Sequence, residues 1–552
     1  MANIKLNKKI FEKEIGKLDE KMQNKVAMFG TTIESFDDKE IELEIFPNRP
    51  DLLSYQGFKR SFLAFLGKST GLRKYSVHKP EKNYKVKIDS SVKNIRPYTV
   101  CAIIKGLKLD DEKIKEIVEV QEKLHTTIGR RRKKMAMGIY PLEKIKLPIT
   151  YKAMEPDKIR FIPLESEKEM SGLQILQRHP IGRKYAHLLA GKEKFPFFMD
   201  AEKNILSIPP IINSKLTGKI TEKTKDVFIE CSGFDLYVLN KCLNIIVTIF
   251  ADMGGKIYQM ELLYPKKEKT PQLKSEKMKL SLANTNKLLG LNLNDKHLKK
   301  LIEKMGHEYT KGYVEIPAWR TDILHEVDLI EDVAIAYGYE NFVPEIPKIS
   351  TIGQEDIKET IKRKISTILA GTNMLEVSNY HLTSKNDQFK KMGTKSKDFI
   401  EVEESKTDYK ILRKNLGHYL MKILSENIDS EYPQRIFEIG RVFEIENQSD
   451  EKILPKIIET EHLAAAITPG NFTELKQILE YFSKMIDKPL KLEEPAEIPS
   501  HLIEGRCAEI KLEEKSIGFI GEVHPKILKN WKIKMPVTIF EIELKEILEE
   551  LK

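Results

Sequence analysis

The longest apolar run in the sequence is short, and this limits what the chain can fold into. It reaches from Ile245 to Ala251 and is closed by Asn244 and Asp252, whereas a helix that spans a bilayer needs about 20 apolar residues. The opening residues, MANIKLNKKIFEKEIGKL, alternate charged and apolar side chains and lack the pattern of a secretion signal. We therefore expect a cytoplasmic protein that does not enter a membrane.

The length of the chain predicts several folded modules in series. Its 552 residues are too many for one hydrophobic core, and at roughly 150 residues per domain they predict about four domains. A hydrophobic fraction of 41% and a charged fraction of 32% are typical of globular domains with a charged surface. The mixture of helical and strand patterns predicts a multidomain α+β fold.

The net charge and the cysteines restrict the partners and the compartment. A formal charge of +10 is compatible with a polyanionic partner, but it is spread over 93 basic and 83 acidic residues. The basic segment GRRRKK, residues 129–134, either binds phosphate or is simply solvated. No two of the four cysteines form a C-x-x-C pair, which argues against a zinc knuckle and fits a reducing cytosol. They are Cys101, Cys231, Cys242 and Cys507.

Four regions can be distinguished along the chain, and they are residues 1–88, 89–266, 275–350 and 355–552. In the first, Ile41, Leu43 and Ile45 alternate as in a strand, and Asp51 is placed to cap the helix that follows. In the second, apolar residues from Leu236 to Phe250 recur at helical spacing. The polar segment 267–276 is a candidate linker.

The sharpest local pattern is an acidic helix within residues 321–339. Apolar residues recur there at helical spacing, and either Thr321 or Asp322 is placed to cap the first turn. Four carboxylates share the region, namely Asp322, Asp328, Glu331 and Asp332. Oxygen ligands of this kind suit a hard cation such as Mg²⁺. A solvated acidic face explains the spacing equally well.

A second candidate site lies in LSIPPIINSKLTGKIT, residues 206–221. Two consecutive prolines force an extended path and leave Ser207, Asn213 and Thr217 as hydrogen-bonding groups along a constrained loop. Glu230 follows in the apolar run VFIEC, where a carboxylate should not be buried without a partner. The alternative is that Glu230 faces outward from a strand.

Motifs of common enzyme classes are absent from the sequence. There is no G-x-x-x-x-G-K-[ST] phosphate loop, no H-E-x-x-H zinc helix and no G-x-S-x-G elbow. NTPases, zinc proteases and serine hydrolases of the familiar kinds therefore become less favoured interpretations.

Five segments resemble those of a known family. They are FPNRPDLLS, LSIPPIINS, IPAWRTDILHEVDLIEDVAIAYGYENF, IGFIGEVHPKILKNW and PVTIFEIEL. In this order they are similar to the beta subunit of phenylalanine–tRNA ligase, in its archaeal and eukaryotic form, and the resemblance spans nearly the entire chain. It implies a ligase of two alpha and two beta chains, in which alpha binds ATP and phenylalanine and transfers the amino acid to tRNA(Phe).

The resemblance also implies a role for each region. Residues 1–88 form an N-terminal module, residues 89–266 an editing module, residues 275–350 a Mg²⁺-binding module and residues 355–552 a catalytically inactive class II synthetase-like domain. Asp322, Asp328, Glu331 and Asp332 would bind Mg²⁺ together with the alpha chain.

The implied editing reaction is hydrolysis of tyrosine wrongly attached to tRNA(Phe). Ser207, Asn213 and Glu230 would line its pocket, and Glu230 would recognise the tyrosine hydroxyl. A pocket for phenylalanine rejects an added hydroxyl only about 10²-fold, so a second site that binds the hydroxyl adds selectivity. No His or Cys nucleophile is apparent, so hydrolysis would rest on positioning. The alternatives are a tRNA-binding scaffold without editing and a stand-alone Mg²⁺-dependent hydrolase.

Overall fold

The structure is a computed structural model that describes residues 2–346, 352–395, 398–403, 405, 407–446 and 456–550. It divides into two compact units, residues 1–346 and residues 347–552. Among the residues described, none of the helices has the length and apolar character required to cross a bilayer.

The N-terminal module is a small antiparallel sheet covered by helices. Its elements are β1 (Ala2–Asn7), α1 (Lys8–Glu14), α2 (Glu20–Met28), β2 (Thr32–Phe36), β3 (Glu40–Ile45), a 3-10 turn (Pro50–Leu52) and α3 (Tyr55–Phe65). The strand order is β1-β3-β2. Ile41, Leu43 and Ile45 are all buried, so the alternation expected of this strand is confirmed.

The start of α3 differs from the expectation. Ser54, and not Asp51, caps the helix, because its Oγ accepts a hydrogen bond from the Gly57 N–H at 3.0 Å. Asp51 is fully buried and accepts two hydrogen bonds from Arg49, both at 2.9 Å. The 3-10 turn places Asp51 a turn too early to reach the amides of the helix.

The second module is built on the largest sheet of the molecule. Its elements are β4 (Val77–His78), β5 (Lys85–Ile88), a 3-10 turn (Ser90–Val92), β6 (Tyr98–Lys105), α4 (Asp111–Thr126), β7 (Met135–Pro141), a 3-10 turn (Leu142–Lys144), β8 (Ile149–Met154), a 3-10 turn (Pro156–Lys158), β9 (Arg160–Phe161), β10 (Met170–Ser171), α5 (Gly172–Arg178), α6 (Pro180–Tyr185), a 3-10 turn (Ala186–Leu188), β11 (Phe195–Met199), β12 (Ile205–Ile208), β13 (Ile212–Asn213), β14 (Val227–Gly233), α7 (Leu236–Asp252), β15 (Lys256–Leu263) and β16 (Glu268–Thr270).

The sheet has the order β13-β12-β11-β8-β5-β15-β6-β14-β7, with β4 and β16 paired to β15. Two of its strands, β4 and β5, lie within residues 1–88, before the domain boundary that the sequence predicts. The expected linker at 267–276 is wrong in part, since β16 pairs with β15 through Met260 and Thr270. The polar composition of that segment reflects an edge position in the sheet.

The predicted core helix is confirmed as α7, which is buried along most of its length. It belongs to one hydrophobic core that reaches from Ile4 in β1 to Ala336. A buried ion pair crosses the same region, because Arg60 of α3 donates to Asp252 of α7 at 2.7 Å. The guanidinium of Arg60 also lies over the ring of Trp319, 4.4 Å from its centroid. The first two modules and part of the third therefore share one interior.

The third module combines a three-stranded sheet with three helices. Its elements are β17 (Glu276–Lys279), α8 (Leu282–Leu289), α9 (Asp295–Lys304), β18 (Glu308–Thr310), β19 (Tyr313–Ile316), α10 (Glu326–Tyr337) and a 3-10 turn (Tyr339–Asn341). The strand order is β17-β19-β18. Asn294 caps α9, because its side-chain oxygen accepts a hydrogen bond from the His297 N–H at 2.9 Å.

The acidic helix α10 begins later than its apolar spacing predicts. His325 is its cap, and Asp328 completes a capping box by accepting from the backbone N–H groups of Leu324 and His325, each at 2.7 Å. The expectation that Thr321 or Asp322 caps the helix is wrong, because Asp322 is engaged by Arg320 instead.

The second unit is a seven-stranded sheet with helices packed on both faces. Its elements are α11 (Ile357–Ala370), β20 (Leu375–Glu376), β21 (Leu382–Thr383), a π-helical turn (Asn386–Lys391), β22 (Ile411–Leu412), α12 (Gly417–Glu426), β23 (Gln434–Glu446), β24 (Lys456–Thr468), α13 (Phe472–Met485), β25 (Leu490–Glu493), β26 (Leu502–Leu512), β27 (Lys515–Val523), α14 (Pro525–Trp531), β28 (Thr538–Glu543) and α15 (Lys545–Glu550). The strand order is β20-β23-β24-β28-β27-β26-β25. Two separate hydrophobic cores cover its faces, as a central sheet with a helix layer on each side requires.

Candidate functional site

Three residues singled out in the sequence converge on one atom, the hydroxyl oxygen of Tyr140. Tyr140 Oη lies 2.8 Å from Ser207 Oγ, 3.3 Å from Glu230 Oε1 and 3.4 Å from Asn213 Oδ1. Strands β12, β13 and β14 carry these three partners, and β7 carries Tyr140. The fold therefore brings together three residues that the sequence indicated, and it joins them through Tyr140, which the sequence did not indicate.

Glu230 is buried, with 2% of its surface exposed, so the expectation of an outward-facing strand position is wrong. Its Oε1 has Tyr140 as a partner, whereas its Oε2 is buried and has no hydrogen-bond partner within the protein. Burial raises the pKa of Glu230 to about 8, although the Arg96 guanidinium and the Tyr140 hydroxyl both act to lower it. A buried carboxyl oxygen without a partner is costly unless a ligand supplies one.

Glu230 and Asn213 line a cavity of about 340 Å³, large enough for a small ligand. Much of the remaining wall is apolar, including residues of α4 and the loop Pro209–Ile212. The cavity therefore combines an apolar body with a few polar groups at one place, which is the arrangement that binds an amphipathic side chain such as a phenol.

The basic segment also contributes to this cavity, through Arg132. Arg132 donates to the carbonyl of Ile211 at 2.9 Å and to the carboxylate of Glu122, and it lies over the ring of Tyr185. Arg130, Arg131 and Arg132 all have positive φ angles, of 44°, 54° and 68°. Non-glycine residues adopt this conformation at a cost of about 1–2 kcal/mol each, so the contacts of Arg132 hold a strained turn against the cavity.

His125 also lines the cavity but is not available as a general base. Its Nε2 accepts from the Met137 N–H at 2.8 Å, and its Nδ1 lies 3.3 Å from Glu122 Oε1. Burial lowers the pKa of this imidazole. Both ring nitrogens of His125 are therefore used to hold structure.

The acidic region of the third module is organised by Arg320, which the sequence analysis did not identify. Arg320 donates to Asp322 at 2.7 and 2.8 Å and to Asp332 at 2.9 Å. His307 Nε2 lies 2.7 Å from the same Asp332 oxygen. Burial opposes ionisation, but Arg320 holds the pKa of both carboxyls below the usual range. Two of the four predicted metal ligands therefore already have a protein cation as a partner.

The other two predicted ligands are less restricted. Asp328 is used in the capping box of α10, and Glu331 is exposed on the helix. Burial and the charges of Asp332, Asp328 and Asp322 raise the pKa of Glu331, so the four carboxylates do influence one another. Within the described part of the chain, however, no group of three or more metal-binding side chains is arranged to hold an ion.

The second unit contains a buried ion pair between Arg413 and Glu438, whose side chains are each 2% exposed. Arg413 Nη1 donates to Glu438 Oε1 at 2.6 Å, and its Nε donates to the carbonyl of Arg441 at 2.8 Å. A Cβ atom at Gly440 would lie 2.3 Å from Arg413 Nη2, so any other residue there would displace the guanidinium from its present position. The arginine is enclosed by its own domain.

Two family models match the chain. One, described as "tRNA synthetase B5 domain", matches residues 278–339, and the other, described as "Phenylalanyl tRNA synthetase beta chain CLM domain", matches residues 343–544. The first coincides with the three-stranded sheet and α10, and the second with the seven-stranded sheet. These matches define the class of protein, an aminoacyl-tRNA synthetase subunit.

Whole-chain relatives identify the family. The phenylalanine–tRNA ligase beta subunit of Thermococcus sibiricus is 40% identical over 505 residues, which cover 90% of this chain and 89% of the relative. That of Archaeoglobus fulgidus is 38% identical over 544 residues, covering 97% and 96%. The chain belongs to the family of phenylalanine–tRNA ligase beta subunits, as its five sequence segments predict.

A solved structure agrees with the fold of the first unit. An N-terminal fragment of the phenylalanyl-tRNA synthetase beta subunit from Pyrococcus horikoshii has a TM-score of 0.58 and 39% identity, and the match covers 61% of this chain and 99% of that fragment.

Proposed function

We propose that this chain acts with an alpha chain in phenylalanine–tRNA ligase and that its second module hydrolyses tyrosyl-tRNA(Phe). The alpha chain would bind ATP and phenylalanine and form the aminoacyl bond, in an assembly of two alpha and two beta chains. The four cysteines are free and three are buried, which suits a reducing compartment and a cytoplasmic location.

One observation carries the editing proposal. Glu230 lines a largely apolar cavity together with Asn213, its Oε2 is buried without a hydrogen-bond partner, and Tyr140 contacts Glu230, Asn213 and Ser207. A tyrosine ring suits the apolar wall, and its hydroxyl supplies the missing partner. A phenylalanine ring would leave Glu230 unpaired, so the site would favour the wrongly attached amino acid.

Hydrolysis at this site would depend on position and not on a protein nucleophile. Water attacks the ester carbonyl, and free tyrosine and tRNA(Phe) are released. Because both nitrogens of His125 are occupied, the protein's contribution is to hold the ester and exclude other orientations. The hydroxyl groups of the terminal ribose would then assist in binding the water.

The test is release of tyrosine from preformed Tyr-tRNA(Phe) by the alpha–beta complex. We expect rapid release by the wild-type complex and slow release by Glu230→Ala, with phenylalanine charging retained. Glu143→Ala, in a 3-10 turn of the same module, serves as the control. A wild-type complex that charges phenylalanine but leaves Tyr-tRNA(Phe) intact would establish a scaffold without editing.

We also propose that Asp322, Asp328, Glu331 and Asp332 take part in a Mg²⁺ site completed by the alpha chain. The oxygen donors suit this ion, and burial together with the charges of the three neighbouring carboxylates raises the pKa of Glu331. Because Arg320 already pairs with Asp322 and Asp332, the partner must supply further ligands. Magnesium would supply positive charge near the phosphates of ATP when bound.

For the second unit, we propose a class II-like domain without catalytic activity. The buried Arg413 supports this, because an arginine paired inside its own domain with Glu438 has no free guanidinium for a nucleotide phosphate. The unit would then serve as a surface for the alpha chain.

A further inference from the structure

The cavity of the second module has two layers of polar groups. Asn213 and Glu230 belong to its wall, whereas Tyr140 is fully buried and lies behind them. Tyr140 therefore does not touch a ligand in the cavity. It contacts Asn213 and Glu230, which line the cavity.

The geometry fixes which atoms remain for a ligand. Glu230 Oε1 and Asn213 Oδ1 both face Tyr140 Oη. Glu230 Oε2 is left without a partner, and the Asn213 side chain is left with its NH₂ group as a donor. In its ionised form Glu230 supplies one acceptor, and together with the amide donor of Asn213 it matches a hydroxyl group, which both donates and accepts a hydrogen bond.

We propose that Tyr140 is a positioning residue that sets the hydroxyl-recognising face of this cavity, so that the pocket selects a phenolic over a phenyl side chain. This inference rests on the proposed editing function. Tyr140 carries one hydroxyl proton, which would orient the Glu230 carboxyl when it is donated to Oε1. Ser207 Oγ and Asn213 Oδ1 lie 2.8 and 3.4 Å from the same hydroxyl oxygen.

Two features show that the tyrosine is held in place. Its ring stacks with Phe228 at a centroid distance of 5.8 Å. A Cβ atom at Gly138 would lie only 2.1 Å from Tyr140 Oη, so the hydroxyl occupies space that any other residue at 138 would fill. Gly138 is paired with Glu230 in the sheet, and the glycine therefore allows the hydroxyl to approach the carboxyl.

The first test compares hydrolysis of Tyr-tRNA(Phe) and Phe-tRNA(Phe) by the alpha–beta complex, with the Tyr140→Phe variant. We expect the ratio of the two kcat/KM values to fall roughly tenfold, the effect of about one lost hydrogen bond, mainly through KM for the tyrosyl ester. Tyr309→Phe is the matched control, because Tyr309 is also buried and donates to a carboxylate, Asp295, in the third module. It should leave the ratio unchanged.

A second variant, Gly138→Ala, leaves Tyr140 chemically intact but displaces its hydroxyl. It should lower the same ratio at least as much as Tyr140→Phe, while phenylalanine charging by the complex is retained. A retained ratio in Gly138→Ala would contradict the positioning role, since the hydroxyl cannot stay in place beside a Cβ atom at 2.1 Å.

The pH profile separates positioning from simple support of the fold. The ionisable groups that interact with Glu230 include Arg96, Tyr140, Tyr151, Cys101 and Cys231. The Tyr140 hydrogen bond lowers the pKa of Glu230, so its loss should move the midpoint of the pH dependence of tyrosine release to higher pH. A purely structural role would leave this midpoint in place.

The outcomes distinguish the inference from the function on which it rests. If the wild-type complex does not release tyrosine, both are overturned. If it releases tyrosine and Tyr140→Phe keeps the wild-type ratio and midpoint, editing stands and the role of Tyr140 is refuted.

Discussion

The guanidinium of Arg413 is paired with Glu438 at 2.6 Å in the interior of the second unit. Glu438→Gln would leave the arginine buried without its counter-charge, and we expect a loss of about 3–5 kcal/mol in the free energy of unfolding. Scanning calorimetry of the full chain would show it as an earlier transition of the second unit. Glu459→Gln is the control, because its pair with Arg441 is about half exposed and should matter by less than about 1 kcal/mol.

Glu230 should make the stability of the protein depend on pH. Its pKa is about 8 in the folded chain against an ordinary 4.5, so the folded state holds a proton between these values that the unfolded state releases. Stability should fall as the pH rises through this range.

The Glu230→Gln variant removes this titration. Its stability relative to wild type should rise by roughly 3 kcal/mol between pH 5 and pH 9, measured by urea unfolding at each pH. A difference that does not change with pH would show that Glu230 stays ionised when buried.

Glu331 tests the proposed shared metal site. Because three neighbouring carboxylates disfavour its ionised form, Glu331→Gln should slightly raise the melting temperature of the isolated chain in the presence of a chelator. In the alpha–beta complex, the same change should reduce the stabilisation that Mg²⁺ provides. Glu340→Gln, at an exposed position just beyond the helix, is the control. Undiminished stabilisation by Mg²⁺ would remove Glu331 from the ligand set.

The cap of α3 can be checked by two substitutions. Ser54→Ala should cost about 1 kcal/mol, the usual effect of losing an N-cap side chain. Asp51→Asn should cost more, about 3 kcal/mol, because it leaves Arg49 without its buried partner. Equal losses, measured by thermal unfolding, would contradict the separate roles that the structure assigns to these residues.

Periodic patterns could be predicted from the sequence because they depend on near neighbours. The alternation of Ile41, Leu43 and Ile45 indicates β3, and the helical spacing in Leu236–Phe250 indicates α7. The choice of Ser54 over Asp51 as the cap of α3 could not be predicted from the sequence. It depends on the 3-10 turn before the helix, and both Ser and Asp are good capping residues.

In the candidate site, too, some residues could be predicted from the sequence and others could not. Ser207, Asn213 and Glu230 could be predicted as site residues, because each is a polar residue in an apolar or proline-rich segment, where a polar side chain needs a partner. Tyr140 gives no such signal within the apolar strand MAMGIYP. Gly138, two residues before Tyr140, pairs with Glu230 in the sheet, and this pairing brings the Tyr140 hydroxyl close to the carboxyl. The sequence does not show that pairing. The pairing of Arg320 with Asp322 and Asp332 could not be predicted either. Arg320 precedes α10, and the helical spacing of the acidic residues gives no information about a residue outside the helix.

Because the modules of the first unit share one interior, they cannot be exchanged one at a time between related proteins. The core joins β1 to α7 and α10, and the Arg60–Asp252 pair with Trp319 fastens the three modules at one point. A gene cut at codon 88 would separate β4 and β5 from the region that carries the strands they pair with. A relative's cavity could therefore be transplanted only with its accompanying N-terminal module. Residues 1–346 form one compact unit, and a transfer of that whole unit would keep these contacts.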